Sequence, residues 1–550
     1  MRGIIYDVLT RVMNRARRLA LVVVCLVAAV AQAKNVYITP DADGTGNGTS
    51  WSSPMMLTNY LVKAKANGDV VRLKAGKYTA RIASQTFGNY MTIKISGGYA
   101  GTDDTTLDAE NPISEIDFAG YPTSNALSPI ICAAATGYSV TMERLLLTRA
   151  RSAAIFKKNA GTLVLSDCVV VSNGWRNYSS NSSNGGRGVR AAGGSFSATG
   201  CTFAYNGMYF GSGSATTVGD HGYGLYLEST TGRLTDCKFI GNGAKISDEA
   251  PVASVRGAGR GLALYATGSK VYAKGCDFLC NRGALGSYSS SASNQAEGGI
   301  VVLAGNCGGS WFTNCSWVAN QNLRDTTYNG NTYYGGVLTV DMASRSYTVS
   351  VDRCTFAYNI TDSANAAAGI DVRNGTLNLR NSVFAGNYAR SGNSLGVDLV
   401  VRTNGTANVE YCLFSSTNET NITIEEIAGE RGSLSMTEIV LGDARLATDP
   451  ATAQALVKTR TAKPYLVYDP SRISEVLAFD VHLRSKEGRW TKSGYVQDMR
   501  HSPAIDAGDP DCGVGLEPKP NGDRLNLGRY GGTAEASLTF EPPGLVIRLI

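Results

Sequence analysis

From Leu163 to Thr417 one arrangement of apolar and polar positions returns eight times. Its anchor is a cysteine followed two residues on by a large apolar side chain: Cys168 with Val170, Cys201 with Phe203, Cys237 with Phe239, Cys276 with Phe278, Cys315 with Trp317, Cys354 with Phe356 and Cys412 with Phe414, while Ser382 with Phe384 lacks the cysteine. Five residues after the anchor stand Asn173, Asn206, Asn242, Asn281, Asn320, Asn359 and Asn387, and Thr417 closes the series. Strand side chains alternate between two faces, so the anchor and the residue two later point the same way, inward. The polar pair ahead of the anchor, such as Ser166-Asp167 or Thr313-Asn314, marks a bend to a preceding short strand.

A further strand precedes this pair, opening on glycine and then alternating, at Gly224, Gly261, Gly299, Gly336 and Gly369. Three short strands and three corners per turn predict an all-β fold, a right-handed parallel β-helix solenoid of triangular section in which like residues stack in columns. The asparagine column is read as structural, because Asn tolerates a left-handed corner and its amide bonds to the amides above and below. On the glycine-opened strands the outward column holds Glu228, Asp371 and Arg373. In the middle rungs it is expected to turn apolar, with Val301, Leu303, Leu338 and Val340, under a covering loop or C-terminal module or as an exposed partner site. Ahead of the repeats, Leu57, Tyr60, Leu61 and Ala64 share one face of a short helix that plugs the open end. Val70 to Leu73 and Met91 to Ile95 read as first-rung strands.

Composition sharpens this picture. With 63 Gly in 550 residues and only 17% charged side chains, the chain can bury a core and make many turns. The net charge of +6 is scattered rather than gathered into basic runs, which excludes nucleic acid as the expected partner. Arg15, Arg17 and Arg18 precede an apolar run from Leu19 to Val30 and the small residues Ala31 and Ala33, a secretory leader cleaved after Ala33, with Met1 or Met13 as the start. Later segments are too polar for a membrane helix. The expected divisions are a leader over 1–33, a cap and first rungs over 34–120, repeats with long loops over 121–420 and a C-terminal module over 421–550. Eleven cysteines remain after cleavage, read as buried free thiols in preference to a disulfide ladder, since stacked anchors point in parallel. No metal is expected, because His221, His482 and His501 lie far apart in sequence.

Chemistry is sought on the loops. After each corner asparagine the chain makes a long excursion, at 174–187, 207–222, 243–259, 282–297 and 321–334, so these stack along one edge. The candidate binding residues there are Trp175, Tyr178, Arg187, Tyr209, Asp220, His221, Tyr223, Tyr288, Tyr333 and Tyr334. Aromatic faces can stack on sugar rings while amides and hydroxyls bond sugar hydroxyls; the competing reading is that the rings pack the loops onto the wall. A lyase would need a base and a cation beside a uronate carboxylate, for which Arg187, Arg190, Arg256 and Arg260 lie near the edge. No cofactor is expected, and calcium only for a lyase. A hydrolase would need two facing carboxylates.

The pairs Gly298-Gly299 and Gly335-Gly336 with the Phe-x-x-Asn motifs resemble chlamydial-type polymorphic outer-membrane protein repeats, over roughly the middle half of the mature chain. The opening, Val36 to Pro40 with Trp51, Val71 to Tyr78 and Gly97 to Thr102, resembles the start of secreted pectate-lyase-like β-helices. The tail, Ser502 to Gly508 with Asn521-Gly522 and Gly528 to Thr533, resembles a choice-of-anchor Q module, which implies sorting or surface attachment. The polymorphic family ends in a membrane β-barrel, whereas the residues after Thr417 lack its series of roughly ten-residue alternating strands. Together these imply a protein that is secreted or at a bacterial surface, outer-membrane-associated, and meets an extracellular glycan or a cell-surface component without catalysis. The alternatives are a polysaccharide lyase or glycoside hydrolase, and a passive spacer.

Overall fold

Runs of four or five alternating residues between left-handed corners cannot continue as long strands, so each pairs with its equivalent one turn later. The computed structural model describes residues 34–540 apart from 42–44, 80–84, 88–90, 120–128, 134–136, 151, 175–186, 208–221, 244–260, 286–295, 298, 325–332, 362–365, 390–396, 416, 418–420, 428–429, 460–465 and 470–471. The result is a parallel β-helix with three faces, right-handed as parallel crossovers are. The first face stacks Ile130–Ala133, Ile155–Lys158, Val189–Ala192, Leu225–Glu228, Leu264–Thr267, Val301–Gly305 and Leu338–Met342. The second begins at Asn35–Ile38 and runs through Val70–Lys74, Thr92–Tyr99, Ser139–Glu143 and Thr162–Ser166 to Ser433–Thr437. Strands Ile370–Arg380 and Leu399–Glu410 run through the corner and belong to both. The third face has twelve strands, from Gly76–Thr79 to Val440–Leu441. The solenoid thus starts one strand before Val70 and continues past Thr417, where the cysteine pattern stops.

The columns hold the core. Phe203, Phe239, Phe278, Trp317, Phe356, Phe384 and Phe414 stack with centroids 4.6–5.0 Å apart, and the anchor cysteines lie fully buried beside them. All described cysteines are free thiols, ten of them buried. From Asn173 to Asn359 each backbone N–H and Nδ2 donates to Oδ1 of the next asparagine at 2.9–3.1 Å. The left-handed residue is the one before the asparagine, at Ser172, Tyr205, Cys280, Ala319 and Tyr358. The asparagine itself is held by its hydrogen bonds. A helical turn at Leu57–Asn59 continues as a π-turn over Tyr60–Ala64, and buried Leu57, Tyr60 and Leu61 close the N-terminal end.

One outward column is not where the glycines place it. Leu264 pairs with Val301 and Val301 with Leu338, so Gly335, three residues before Leu338, matches Gly261, and Gly336 does not. A shift of one residue exchanges the two faces of a strand. Val301, Leu303, Leu338 and Val340 therefore lie in the core, and the outward positions are Val302, Ala304, Thr339 and Asp341.

Residues 443–540 fold back over the third face. Leu446, Leu456, Val476, Leu483, Ile505 and Leu527 pack on Cys280, Val318, Tyr358, Val383 and Leu413. Corner side chains fasten the module: Asn314 Nδ2 donates to the carbonyls of Arg529 and Gly531 at 2.9 and 2.8 Å, and Asn381 Oδ1 accepts from the Asp509 N–H at 2.8 Å. Arg529 Nε reaches Asp277 at 3.0 Å. Among the described residues no helix is long and apolar enough to cross a membrane.

Candidate ligand-binding edge

The asparagine ladder decides where the excursions begin, and the first face decides where they end. After the later ladder residues the described backbone continues as a short parallel sheet, Arg282–Leu285, Gln321–Arg324, Ile360–Thr361 and Tyr388–Ala389, and the chain then returns to a first-face strand, whose outward side is the candidate floor. Alternation places Phe156, Arg190, Tyr226, Tyr265 and Val302 in one outward column.

The upper half of this column is a stack of rings and guanidinium groups. The Arg187 guanidinium carbon lies 4.5 Å from the centroid of Tyr226, and that of Arg190 lies 4.6 Å from Phe156 and 5.3 Å from Tyr226. Tyr226 meets Tyr265 at 5.4 Å. Such cation–π contacts contribute about 0.5–2 kcal/mol each, more as water is excluded. Arg187 and Tyr226 are buried, whereas Arg190 Nη2 reaches the half-exposed carboxylate of Glu228 at 2.9 Å. Burial pushes the Tyr226 hydroxyl pKa up, the Glu228 charge adds to this, and Arg187 and Arg190 oppose it.

Further along, the floor turns apolar at Val302 and Ala304 and then ionic. Asp371 accepts from Arg402 Nε and Nη2, both at 2.9 Å, and from the Gly335 N–H at 2.8 Å; Arg402 Nη1 also meets Glu425 at 3.3 Å. Arg373 pairs with Asp341 at 3.1 Å. These carboxylates are engaged by fixed arginine and backbone donors. Among the described residues no three His, Cys, Asp or Glu side chains gather as a metal site.

Of the residues expected to bind ligand, Arg187 stands in this stack. Tyr223 is buried in the main core. Tyr333 and Tyr334 form a short strand that pairs in parallel with Ala296 and Glu297 as a separate two-stranded sheet. Trp175, Tyr178, Tyr209, Asp220, His221 and Tyr288 lie outside the described residues, as do Arg256 and Arg260. Phe156, Tyr226 and Tyr265 were not among the candidates, although alternation from outward Glu228 points to Tyr226.

The fold defines the class: an extended parallel β-helix. No family model matches the chain, and no curated protein sequence does either. Among solved structures it is similar to pectate lyase Pel9A, at 13% identity and a TM-score of 0.37 over 92% of this chain and 98% of that one. It is also similar to the catalytic unit of a thermostable GH87 alpha-1,3-glucanase from Streptomyces thermodiastaticus strain HF3-3, at 9% identity and a TM-score of 0.24 over 76% and 70% of the two chains.

Proposed function

We propose that this chain is a secreted or surface-associated β-helix that binds an extracellular glycan, or a glycan-bearing surface component, along the loop edge without turning it over. The observation that carries the reading is the stack of Arg187 and Arg190 on Phe156 and Tyr226 on the outward side of the first face. A sugar offers C–H groups on its faces and hydroxyls around its rim. Phe156, Tyr226 and Arg187 are themselves buried and hold the floor rigid, so the groups that meet the sugar rim here are those of the more accessible Arg190–Glu228 pair. Binding is favoured over turnover because the first-face carboxylates of Asp341, Asp371 and Glu228 already accept from arginines. The leader-like start supports export, and the resemblance of the tail to a choice-of-anchor Q module supports surface attachment.

The test is to incubate the chain from Lys34 onward with a panel of neutral and uronate polysaccharides, following retention, unsaturated products and new reducing ends. Retention without products is expected, weakened by Tyr226→Ala and Arg187→Ala. Turnover abolished by the same changes would replace this reading with a polysaccharide lyase or hydrolase, and no retention on any glycan would leave a spacer.

A further inference from the structure

The second face carries a stripe that the loop edge does not involve. Arg233 pairs in register with Tyr272, and Tyr272 with Trp311, so the three side chains stand in one outward column on successive rungs. The Arg233 guanidinium lies 4.8 Å from the Tyr272 ring, and the Tyr272 and Trp311 rings are 5.5 Å apart. Arg233 is exposed and the two rings are half-buried, as expected of side chains lying flat on a sheet. Lys270 and Lys274, both exposed, flank Tyr272 on the same strand.

We propose that this stripe is a second ligand surface, which takes a single extended polysaccharide chain of negative charge laid along the solenoid axis. Charge is the first argument. The strands Thr231–Thr235, Lys270–Lys274 and Ser310–Thr313 contain three cationic side chains and no Asp or Glu. Arg233, Lys270 and Lys274 make no ion pair with a described residue, in contrast to Arg190 on the first face. Geometry is the second. Rungs repeat at roughly 4.8 Å, so equivalent side chains recur at a spacing that suits consecutive sugar units of an extended chain, with rings under the sugar faces. The flanks are the third: Ser197, Thr231 and Thr235 place hydroxyls around Arg233, and Thr313 and Ser350 beside Trp311, where sugar hydroxyls would meet them. A nucleic acid would call for a denser cationic track, one positive group for nearly every phosphate.

The experiment is affinity measurement on the chain from Lys34 onward with a polyuronate, a neutral glucan of matched length and single-stranded DNA. The polyuronate is expected to bind best, with affinity falling as salt rises. Replacing both rings, Tyr272→Ala with Trp311→Ala, is expected to weaken polyuronate binding about tenfold or more, as loss of stacking and cation–π contacts predicts. Arg233→Ser with Lys270→Ser and Lys274→Ser is expected to remove most of the salt dependence, and because all three side chains face solvent this variant keeps the fold. Lys238→Ser, which removes an exposed cation of the third face outside both surfaces, leaves this binding unchanged, so a loss in the stripe variants is not a general effect of lowered charge. The proposal is overturned if both second-face variants, melting as the parent does, bind polyuronate as tightly. It is equally overturned if DNA or neutral glucan binds better, or if no probe binds.

Discussion

Asn387 Nδ2 donates to Asp398 Oδ1 at 2.8 Å, so the asparagine ladder ends on a carboxylate rather than on another amide. Asn421 Nδ2 meets the other oxygen at 3.1 Å. Burial nevertheless dominates and pushes the Asp398 carboxyl pKa up to about 6, against the two amide hydrogen bonds. In the C-terminal module burial likewise pushes Glu517 up to about 7. A carboxyl whose folded pKa is raised contributes stability that is fully present below its unfolded pKa and is lost as pH rises through the folded value. The melting temperature is therefore expected to fall between pH 4 and pH 7. For Asp398 the effect corresponds to about 3 kcal/mol. Asp398→Asn should remove the decline between pH 4 and 6, and Glu517→Gln the part reaching pH 7, both read by thermal melts across the range. A flat profile for the parent chain contradicts the assignment.

The interior of the ladder should be costlier to break than its end. Asn281 Oδ1 accepts from the N–H and Nδ2 of Asn242 at 2.9 and 3.0 Å, and its Nδ2 donates to Asn320 Oδ1 at 3.0 Å and to the Phe239 carbonyl at 2.8 Å. Asn281→Ala leaves several buried polar groups without partners, each costing about 1–3 kcal/mol. A total loss of about 3–5 kcal/mol is expected in denaturant unfolding, against a smaller loss for partly exposed Asn387→Ala.

Much of this was legible because a solenoid writes its core as a period. Cys276, Phe278 and Asn281 recur at fixed offsets, and each column followed from that offset and from strand alternation. Two things were not legible, for physical reasons. In the pair Gly335-Gly336 either residue can open the strand, and only interstrand pairing selects the first, which turns Val301 and Leu338 inward. The outward rings Tyr226 and Tyr265 sit between inward aliphatic residues, Leu225 with Leu227 and Leu264 with Ala266, so these strands are apolar on both sides and read as core throughout. Of the candidate site, Arg187 was found through its loop position, whereas its aromatic partner was not. The docking of Arg529 on Asp277 spans 252 residues, beyond the reach of any local pattern.

The thiol column yields a chemical count. Burial pushes the thiols of Cys132 and Cys412 up to about 12, so they resist both ionisation and reagent. Cys512 alone among the described cysteines is not fully buried. Under native conditions a thiol reagent is expected to label about one site of the chain from Lys34 onward, and after denaturation without reductant all eleven of its cysteines. Mass spectrometry reads the difference, and a denatured count short by two or more would mean that disulfides form after all.

Trp317 tests how strictly the aromatic column is built. It is fully buried between Phe278 and Phe356, and its Nε1 has no hydrogen-bond partner among the described residues. Trp317→Phe restores the side chain used on six of the other rungs, removes a buried unpaired donor and leaves a small void. The donor and the void oppose each other, so stability is expected to change by less than about 1.5 kcal/mol. Trp317→Ala keeps only the void and should cost about 3–5 kcal/mol. Equal losses for the two variants in denaturant unfolding would contradict this.

Arg529 decides whether the C-terminal module is part of the solenoid or merely attached to it. Its Nε lies 3.0 Å from Asp277, its Nη2 donates to the Gly275 carbonyl at 3.0 Å, and its backbone N–H donates to Thr355 Oγ1 at 2.9 Å. Asp277 and Arg529 are both largely enclosed, and removing one member of such a pair leaves the other's charge uncompensated, at about 3–5 kcal/mol. Arg529→Ala should therefore loosen the module before it affects the rungs, because the ladder and the aromatic column do not pass through it. Limited proteolysis is expected to release a fragment from about Asp443 onward in the variant and not in the parent, with the solenoid surviving. The exposed third face, with Val318, Tyr358, Val383 and Leu413 bared, should then aggregate. If the variant instead loses the whole fold in one step, module and solenoid form a single cooperative unit, and Arg529 belongs to its shared core.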